Sequence, residues 1–262
     1  MADKPLNGRV AVVTGAGKGI GSGIARELAA AGAAVVVNYS YSAEGAERVC
    51  DEILSGGGRA MAFKADVSQE NEVIALMEAA VQWGGRLDIL VNNAALQANV
   101  PLPDYKMDTY DRLVAVNLMG YWLCTREAAR RMIPNGKGVI LYNSSVHAKR
   151  PTHFDPAYCM TKGGIKMLER EAAIALAPHG IRVICMEPGG VHIDLPKSGS
   201  EGQIIDRKHM AQARQFRYKP QQNLGRPMNP ADVGRMAVLL AGDDCELISG
   251  CEITLDQADM LY

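Results

Sequence analysis

Short runs of contiguous apolar residues alternate with longer amphipathic stretches along the whole chain. Val10–Thr14, Ala34–Asn38, Ala60–Ala65, Leu87–Asn92, Gly138–Asn143, Arg182–Met186 and Cys251–Leu255 have strand length. Contiguous apolar character, without alternation, marks strands buried on both faces, as in a parallel sheet. Between them, helical patterns cover Ile20–Ala31, Ser42–Leu54, Gln69–Gln82, Met107–Met132, Asp155–Ala177 and Pro230–Leu240. This alternation predicts an α/β fold: one doubly wound parallel sheet of Rossmann type. Right-handed crossovers then place helices on both faces. No linker or change of composition divides the chain, so residues 1–262 read as a single domain. One segment breaks the rhythm. From His192 to Arg226 there is no strand signal, and Pro, Gly, Gln and charged residues are frequent. It follows the Arg182–Met186 strand, and ligands in such folds bind at the carboxyl ends of strands. A flap over the active site at about residues 192–226 is the expectation.

Composition narrows the class. The chain has 262 residues, a formal net charge of −1, 48% hydrophobic and 22% charged residues. That is too apolar and too balanced for a disordered chain. It lacks the basic excess of a nucleic-acid partner. No apolar run is long enough to span a membrane, and MADKPLNGRV does not read as a signal peptide. The six cysteines are scattered and read as free thiols in a reducing, cytoplasmic setting, with no metal site expected.

Candidate chemistry begins after the first strand, at Thr14-Gly15-Ala16-Gly17-Lys18-Gly19-Ile20-Gly21. A Gly-rich turn entering a helix lets backbone N–H groups approach phosphate, aided by the helix dipole. The spacing is T-G-x3-G-x-G; Ile20 stands where a G-x-G-x-x-G pattern needs its third glycine. After the second strand come Asn38-Tyr39-Ser40-Tyr41-Ser42, with no acid before Glu44. An acid there would hold the ribose 2′-hydroxyl of NAD. Its absence favours NADP, with Asn38, Ser40 and Ser42 as donors to a 2′-phosphate, although no Arg is present. An ordinary strand end with Ser42 as N-cap is the alternative. Asp66-Val67 and Asn92-Asn93-Ala94-Ala95 also fall at strand ends, where turn chemistry alone would explain them.

Tyr158 and Lys162 are spaced i, i+4, on one helical face. An ammonium beside a phenol favours phenolate and so makes the phenol a proton exchanger. Ser144 and Ser145 close a strand, and Asn117 interrupts an apolar pattern. A surface Tyr/Lys pair and a core Asn bonded to backbone are the ordinary explanations.

Taken together, Thr14–Gly21, Asp66, Asn92–Ala94, Asn117, Ser145, Tyr158, Lys162 and Pro188-Gly189 resemble the short-chain dehydrogenase/reductase family over nearly the whole chain. Ser145 precedes Tyr158 by 13 residues, as in that family. The resemblance implies strand order 3-2-1-4-5-6-7, a homotetramer, and hydride transfer with NAD or NADP. It implies Tyr158 as general acid/base, Lys162 as the residue that lowers its pKa and holds the nicotinamide ribose, and Ser145 on the substrate oxygen. Asn117 would hold a water in a proton relay. Gly15, Gly19 and Gly21 would cradle the pyrophosphate, with Lys18 and Ile20 beside them. Asp66 would face adenine and Val191 would contact the carboxamide. Asn38, Tyr39, Ser40, Val67, Asn93, Ala94, Pro188 and Gly189 are the further expected cofactor contacts.

The chain departs from the family pattern at Ala95, at Gly190-Val191-His192-Ile193, where a Thr is usual, and at Gln257-Ala258, where Gly-Gly is usual. Gln257 is expected to reach a pocket that glycine would leave open. Ser144–His147, Lys162–Gly164 and Ala177–Arg182 are similar to the glucose 1-dehydrogenase group, which implies oxidation of an aldose at C1 to a lactone. Ser145, His147, Arg150, His153, Tyr158, Gly190 and Gln257 are the candidate substrate contacts. Lys149 shares that loop, and Asp194–Lys219 carries six basic against three acidic residues. An anionic sugar is one reading of this excess; a solvated charged flap is the other. The competing functions are an NADPH-dependent ketoreductase of 3-oxoacyl thioesters or small ketones, and a silent nucleotide-binding sensor.

Overall fold

A computed structural model describes residues 4–152, 155–193 and 224–261. Seven strands form one parallel sheet: β1 (Val10–Val13), β2 (Ala34–Tyr39), β3 (Arg59–Lys64), β4 (Ile89–Asn92), β5 (Gly138–Asn143), β6 (Ile181–Pro188) and β7 (Cys251–Leu255). The order is β3-β2-β1-β4-β5-β6-β7, as the family resemblance implied. The order reverses between β1 and β4, and a crevice opens there at the strands' carboxyl ends.

The contiguous apolar runs are explained by two cores. Ala11, Val13, Val35, Val37, Ile89, Val91, Val139 and Leu141 face one side. Val12, Val36, Leu90 and Ile140 face the other. The five central strands therefore bury both of their alternating faces, while the edge strands β3 and β7 are only partly covered. The first core is covered by α1 (Gly19–Ala30), α2 (Ala43–Ser55) and, from the end of the chain, a helix at Pro230–Ala241. The second lies under α3 (Glu70–Gly84), α5 (Gly120–Met132) and α6 (Pro156–Leu176). Counted in chain order, α4 is Met107–Val114 and Pro230–Ala241 is α7.

The single helix expected over Met107–Met132 is in fact α4 and α5 joined by one π-helical turn, Ala115–Met119. Asn117 lies in that turn, fully buried. Wide turns of this kind mark places where the regular backbone ladder yields to another demand. Most of the expected flap, residues 194–223, lies outside the described residues. Its two ends are joined: Val191 bridges Met228, and the His192 N–H donates to the Met228 carbonyl at 2.7 Å. Among the described residues no helix is long and apolar enough to cross a membrane.

Candidate active site

The turn after β1 is fixed from three sides. The Thr14 hydroxyl accepts the N–H groups of Asn93 (2.8 Å) and Ala94 (3.1 Å). The Asn93 amide donates to the carbonyls of Thr14 and Gly15 and accepts from Asn143 at 2.8 Å. The Asn38 side chain accepts the Gly15 N–H at 3.1 Å and donates to the carbonyls of Ala65 and Phe63. Asn38 is 1% exposed, so its amide is a brace inside the protein. The expectation that it donates to a 2′-phosphate is corrected: the amide is committed to backbone.

The glycines of this turn are sterically required. Gly15 and Gly19 have φ of +62° and +57°. A Cβ on Gly15 would come within 2.9 Å of the Ala94 Cα, and one on Gly21 within 2.4 Å of the Asn93 amide nitrogen. The first turn of α1 has no side-chain cap and no acidic residue, so its N–H groups and positive dipole end are available to an anion.

A cleft of about 270 Å³ opens beside it. Gly15, Lys18, Ile20, Asn38, Tyr39, Ser40, Asp66, Val67, Asn93, Ala94, Tyr158 and Lys162 border it, all expected as cofactor contacts. Gly19 and Gly21 stand behind the turn, and Pro188, Gly189 and Val191 lie at the end of β6, outside the lining. A bare glycine cradle, an uncapped helix and a cleft running on to Tyr158 fit a dinucleotide with its phosphates at the turn.

The far end of the cleft holds a group with no local signature in the sequence. Arg112, on α4, donates to Asp66 (2.7 Å), to the Ser68 hydroxyl (2.7 Å) and to the Tyr41 hydroxyl (3.0 Å). Burial alone would raise the pKa of Asp66; the Arg112 hydrogen bond and charge, with Ser68, hold it below the usual carboxylate value. The pairs are 46 and 71 residues apart, which is why sequence inspection missed them.

At the other end, Ser145 follows β5 and its hydroxyl caps a short turn, accepting the His147 N–H at 3.1 Å. The same hydroxyl is hydrogen-bonded to Tyr158. Lys162, 2% exposed, lies one helical turn beyond Tyr158 and donates to the Asn143 carbonyl at 3.0 Å. Its ammonium sits 5.5 Å from the ring centres of both Tyr158 and Tyr121. The phenol nevertheless stands high, at about 12, because burial outweighs the Ser145 hydrogen bond and the Asp155 charge adds to it. Burial pushes the Lys162 ammonium down to about 8. The expected lowering of the Tyr158 pKa does not appear in the protein alone: burial shifts both groups toward their neutral forms, although at neutral pH Lys162 remains mostly an ammonium.

Asn117 is close by but fully engaged. Its side chain accepts the Leu96 N–H (2.7 Å) and donates to the Leu96 carbonyl (2.9 Å) and the Thr161 hydroxyl (3.3 Å). The side chain therefore pins the β4 loop to α6, and a relay water would need a different atom of this residue. Asp155 escaped the sequence reading as well. It caps α6 and binds four groups, and an acid directly before Pro156 at a helix start is a signal that could have found it.

The expected substrate contacts divide. The His147 ring lies edge-on to Tyr158 at 6.3 Å, with Nδ1 2.9 Å from the Arg150 carbonyl. Gly190 is exposed at the end of β6, and His153 lies outside the described residues. Lys149 turns away from the cleft and pairs with Glu187 at 2.5 Å. Gln257 does not border the cleft; it accepts the Leu224 N–H and donates to the Arg226 carbonyl, both at 3.0 Å. Left-handed backbone at Gln257 (φ +57°) aims it at the end of the flap segment, so the expected pocket contact is corrected.

A parallel sheet with this strand order, a glycine cradle at its switch point and a Ser-Tyr-Lys cluster beside it define a nicotinamide-dependent oxidoreductase. The sequence profile for short chain dehydrogenase matches residues 9–203. The chain belongs to the short-chain dehydrogenase/reductase family and is an NAD(P)-dependent enzyme of that family. It is 36% identical to elsinochrome reductase 1 of Elsinoe fawcettii over 98% of this chain and 97% of that one. It is 32% identical to glucose 1-dehydrogenase 2 of Bacillus subtilis over 99% and 97%. A short chain dehydrogenase from Burkholderia cenocepacia solved in complex with NADP superimposes with a TM-score of 0.83 at 30% identity, over 98% and 99%.

Proposed function

We propose that the enzyme interconverts a hydroxyl and a carbonyl group with NADP, and that the hydroxyl belongs to a sugar, an aldose oxidised at C1 to its lactone. The observation that carries this reading is the meeting of Ser145, Tyr158 and Lys162, with Tyr158 and Lys162 bordering the cleft. A nicotinamide held beside Tyr158 and Lys162 would supply the hydride acceptor for the substrate carbon. The Tyr158 phenolate takes the hydroxyl proton, and Ser145 holds the same oxygen as its charge changes. The Lys162 ammonium, fixed on the Asn143 carbonyl, supplies the nearby positive charge that favours the phenolate. His147, beside Tyr158, and Arg150 offer polar groups to further hydroxyls. Glucose 1-dehydrogenase 2 supports the substrate class.

NADP is favoured because the β2 end presents Tyr39, Ser40, Tyr41 and Ser42 to the cleft beside Lys18, with no acid among them. A homotetramer is supported by the exposed apolar outer faces of α5 and α6, with Trp122 (47%), Met167 (57%) and Ile174 (73%). The buried thiols suit a cytoplasmic, reducing setting.

A second reading, reduction of a ketone by NADPH, is favoured by elsinochrome reductase 1 at 36% identity. A panel of aldoses with NADP+ and NAD+, against ketones with NADPH, separates the two at the nicotinamide absorbance band. Turnover of aldoses, lost by about 100-fold or more in Tyr158→Phe, supports the first reading. Turnover confined to ketones supports the second.

A further inference from the structure

Lys162 is a buried cation without a carboxylate partner among the described residues. Its ammonium makes one hydrogen bond there, to the Asn143 carbonyl. A charge removed from water in this way needs other compensation. Two of the titratable groups that face it are Tyr158, from its own helix, and Cys185, from β6. Burial keeps both uncharged at neutral pH, so neither supplies an anion. The third is Tyr121, on α5, which does not border the cleft. The Tyr121 hydroxyl donates to the Asn143 carbonyl at 2.9 Å, and the Lys162 ammonium lies over its ring. The two lone pairs of one carbonyl oxygen are thus taken by the phenol and the ammonium together. Burial holds the Tyr121 phenol well above the ordinary tyrosine value, so it stays a donor and is no second base. The ring is fixed in turn: Tyr142 packs edge-on at 5.6 Å and is itself bonded to the Thr125 hydroxyl at 2.7 Å. An aromatic face attracts a cation within about 6 Å, most strongly where water is excluded.

Resting on the reading of Tyr158 and Lys162 as the proton-transferring pair, we infer that Tyr121 is a positioning residue of the reaction. Its ring holds the buried Lys162 charge in place of a counter-ion, and its hydroxyl fixes the carbonyl on which that ammonium rests. A carboxylate in the same place would cancel the positive field that favours a Tyr158 phenolate. A ring stabilises the cation and adds no net charge. The hydroxyl also steadies the end of β5, two residues before Ser145, so one side chain outside the cleft sets both partners of Tyr158.

The test reads the charge of Lys162 directly. The protein is made with lysine carrying carbon-13 at Cε, and each signal is followed by NMR against pH; Lys162→Arg identifies the signal of interest. Wild-type Lys162 should titrate at about 8. Tyr121→Met fills much of the volume but has no aromatic face, and should lower that midpoint by about half a pH unit to one unit. Tyr121→Phe keeps the ring and should keep the midpoint. With the best substrate of the panel above, the alkaline limb of the kcat/KM profile should move with the midpoint in Tyr121→Met. Tyr121→Phe should lose a few-fold in kcat with the limb in place, and NADPH affinity should stay within about twofold in both. Equal midpoints in the wild type and Tyr121→Met, or an equal fall in Tyr121→Phe, overturn the role of the ring. So does a wild-type midpoint below about 7, an outcome that needs no variant. Full turnover in Tyr158→Phe overturns the proton-transfer reading instead and leaves the titrations unaffected.

Discussion

Asp155 holds Tyr158 through the backbone: its carboxylate accepts the Tyr158 N–H at 3.2 Å and so caps the helix that carries the phenol. The same oxygen accepts the Tyr105 hydroxyl at 2.9 Å, and the other accepts the N–H groups of Ala98 and Asn99. One buried side chain thus joins the start of α6 to the loop after β4. Asp155→Ala should cost about 3 kcal/mol, because it removes a helix cap and leaves buried donors unpaired. Asp155→Asn should cost nearly as much, since its NH2 would face N–H donors. Urea denaturation gives the stability. Activity should fall further than NADPH affinity, because the displaced helix start carries Tyr158 and not the glycine turn.

The Asn38 brace leads to a different expectation from a phosphate contact. Asn38→Ala frees the Gly15 N–H and the Ala65 carbonyl, at a cost of about 2 kcal/mol. Asn38→Asp turns a carboxylate oxygen toward the Phe63 and Ala65 carbonyls and should be worse. A direct contact to a 2′-phosphate would show itself otherwise: Asn38→Ala would then leave stability unchanged and weaken NADPH but not NADH. Thermal melts together with the two affinities separate these outcomes.

The fold was legible because the sheet is buried on both faces, so strands such as Val10–Val13 and Ala34–Tyr39 announce themselves as contiguous apolar runs. The glycine turn and the Tyr158/Lys162 pair were legible because each is local. What escaped depends on partners distant in the chain. Asn38 has the sequence position of a cofactor contact, but its orientation is decided by the carbonyls of Phe63, in β3, and Ala65, just past it. Lys149 stands four residues after Ser145 and reads as part of the substrate loop, yet a buried carboxylate on β6 captures it. Gln257 was misread because a residue type does not reveal positive φ outside glycine.

A pH dependence follows from Glu169. This residue of α6 is fully buried, and its carboxylate lacks a well-formed hydrogen bond, the Cys251 N–H approaching it only loosely. Burial, with the neighbouring charge of Glu252, raises its pKa from 4.5 to about 7, against the pull of Arg170 and Lys166. The folded state therefore prefers the protonated acid. Below about pH 4.5 both states are protonated and the side chain costs nothing electrostatically. Between 4.5 and 7 the unfolded chain ionises first, so stability falls as pH rises. Above 7 the penalty is constant. Glu169→Gln should match the wild type near pH 4.5 and exceed its melting temperature increasingly up to pH 7, with a plateau beyond. A gap that is constant across this range would contradict the assignment.

The Lys149–Glu187 pair bears on the position of Ser145. Glu187 is fully buried at the end of β6, next to Pro188-Gly189, and its second oxygen has no partner. The Thr254 hydroxyl, at 3.3 Å, is the other donor to the oxygen that Lys149 binds. Lys149 ends the short turn that Ser145 begins, so the pair ties the Ser145 turn to the end of β6. Removing the lysine strands a buried charge, but Lys149 is 40% exposed and water repays part of the loss. Lys149→Met should therefore cost about 1–2 kcal/mol, less than a fully buried pair would. Adding Glu187→Leu removes the stranded charge and should recover most of that cost, a coupling that a double-mutant cycle in urea measures directly. If the turn is held by this pair, Lys149→Met should also lower kcat with little change in NADPH affinity, and Lys149→Arg should restore it. Additive stability effects would show that the two residues act independently.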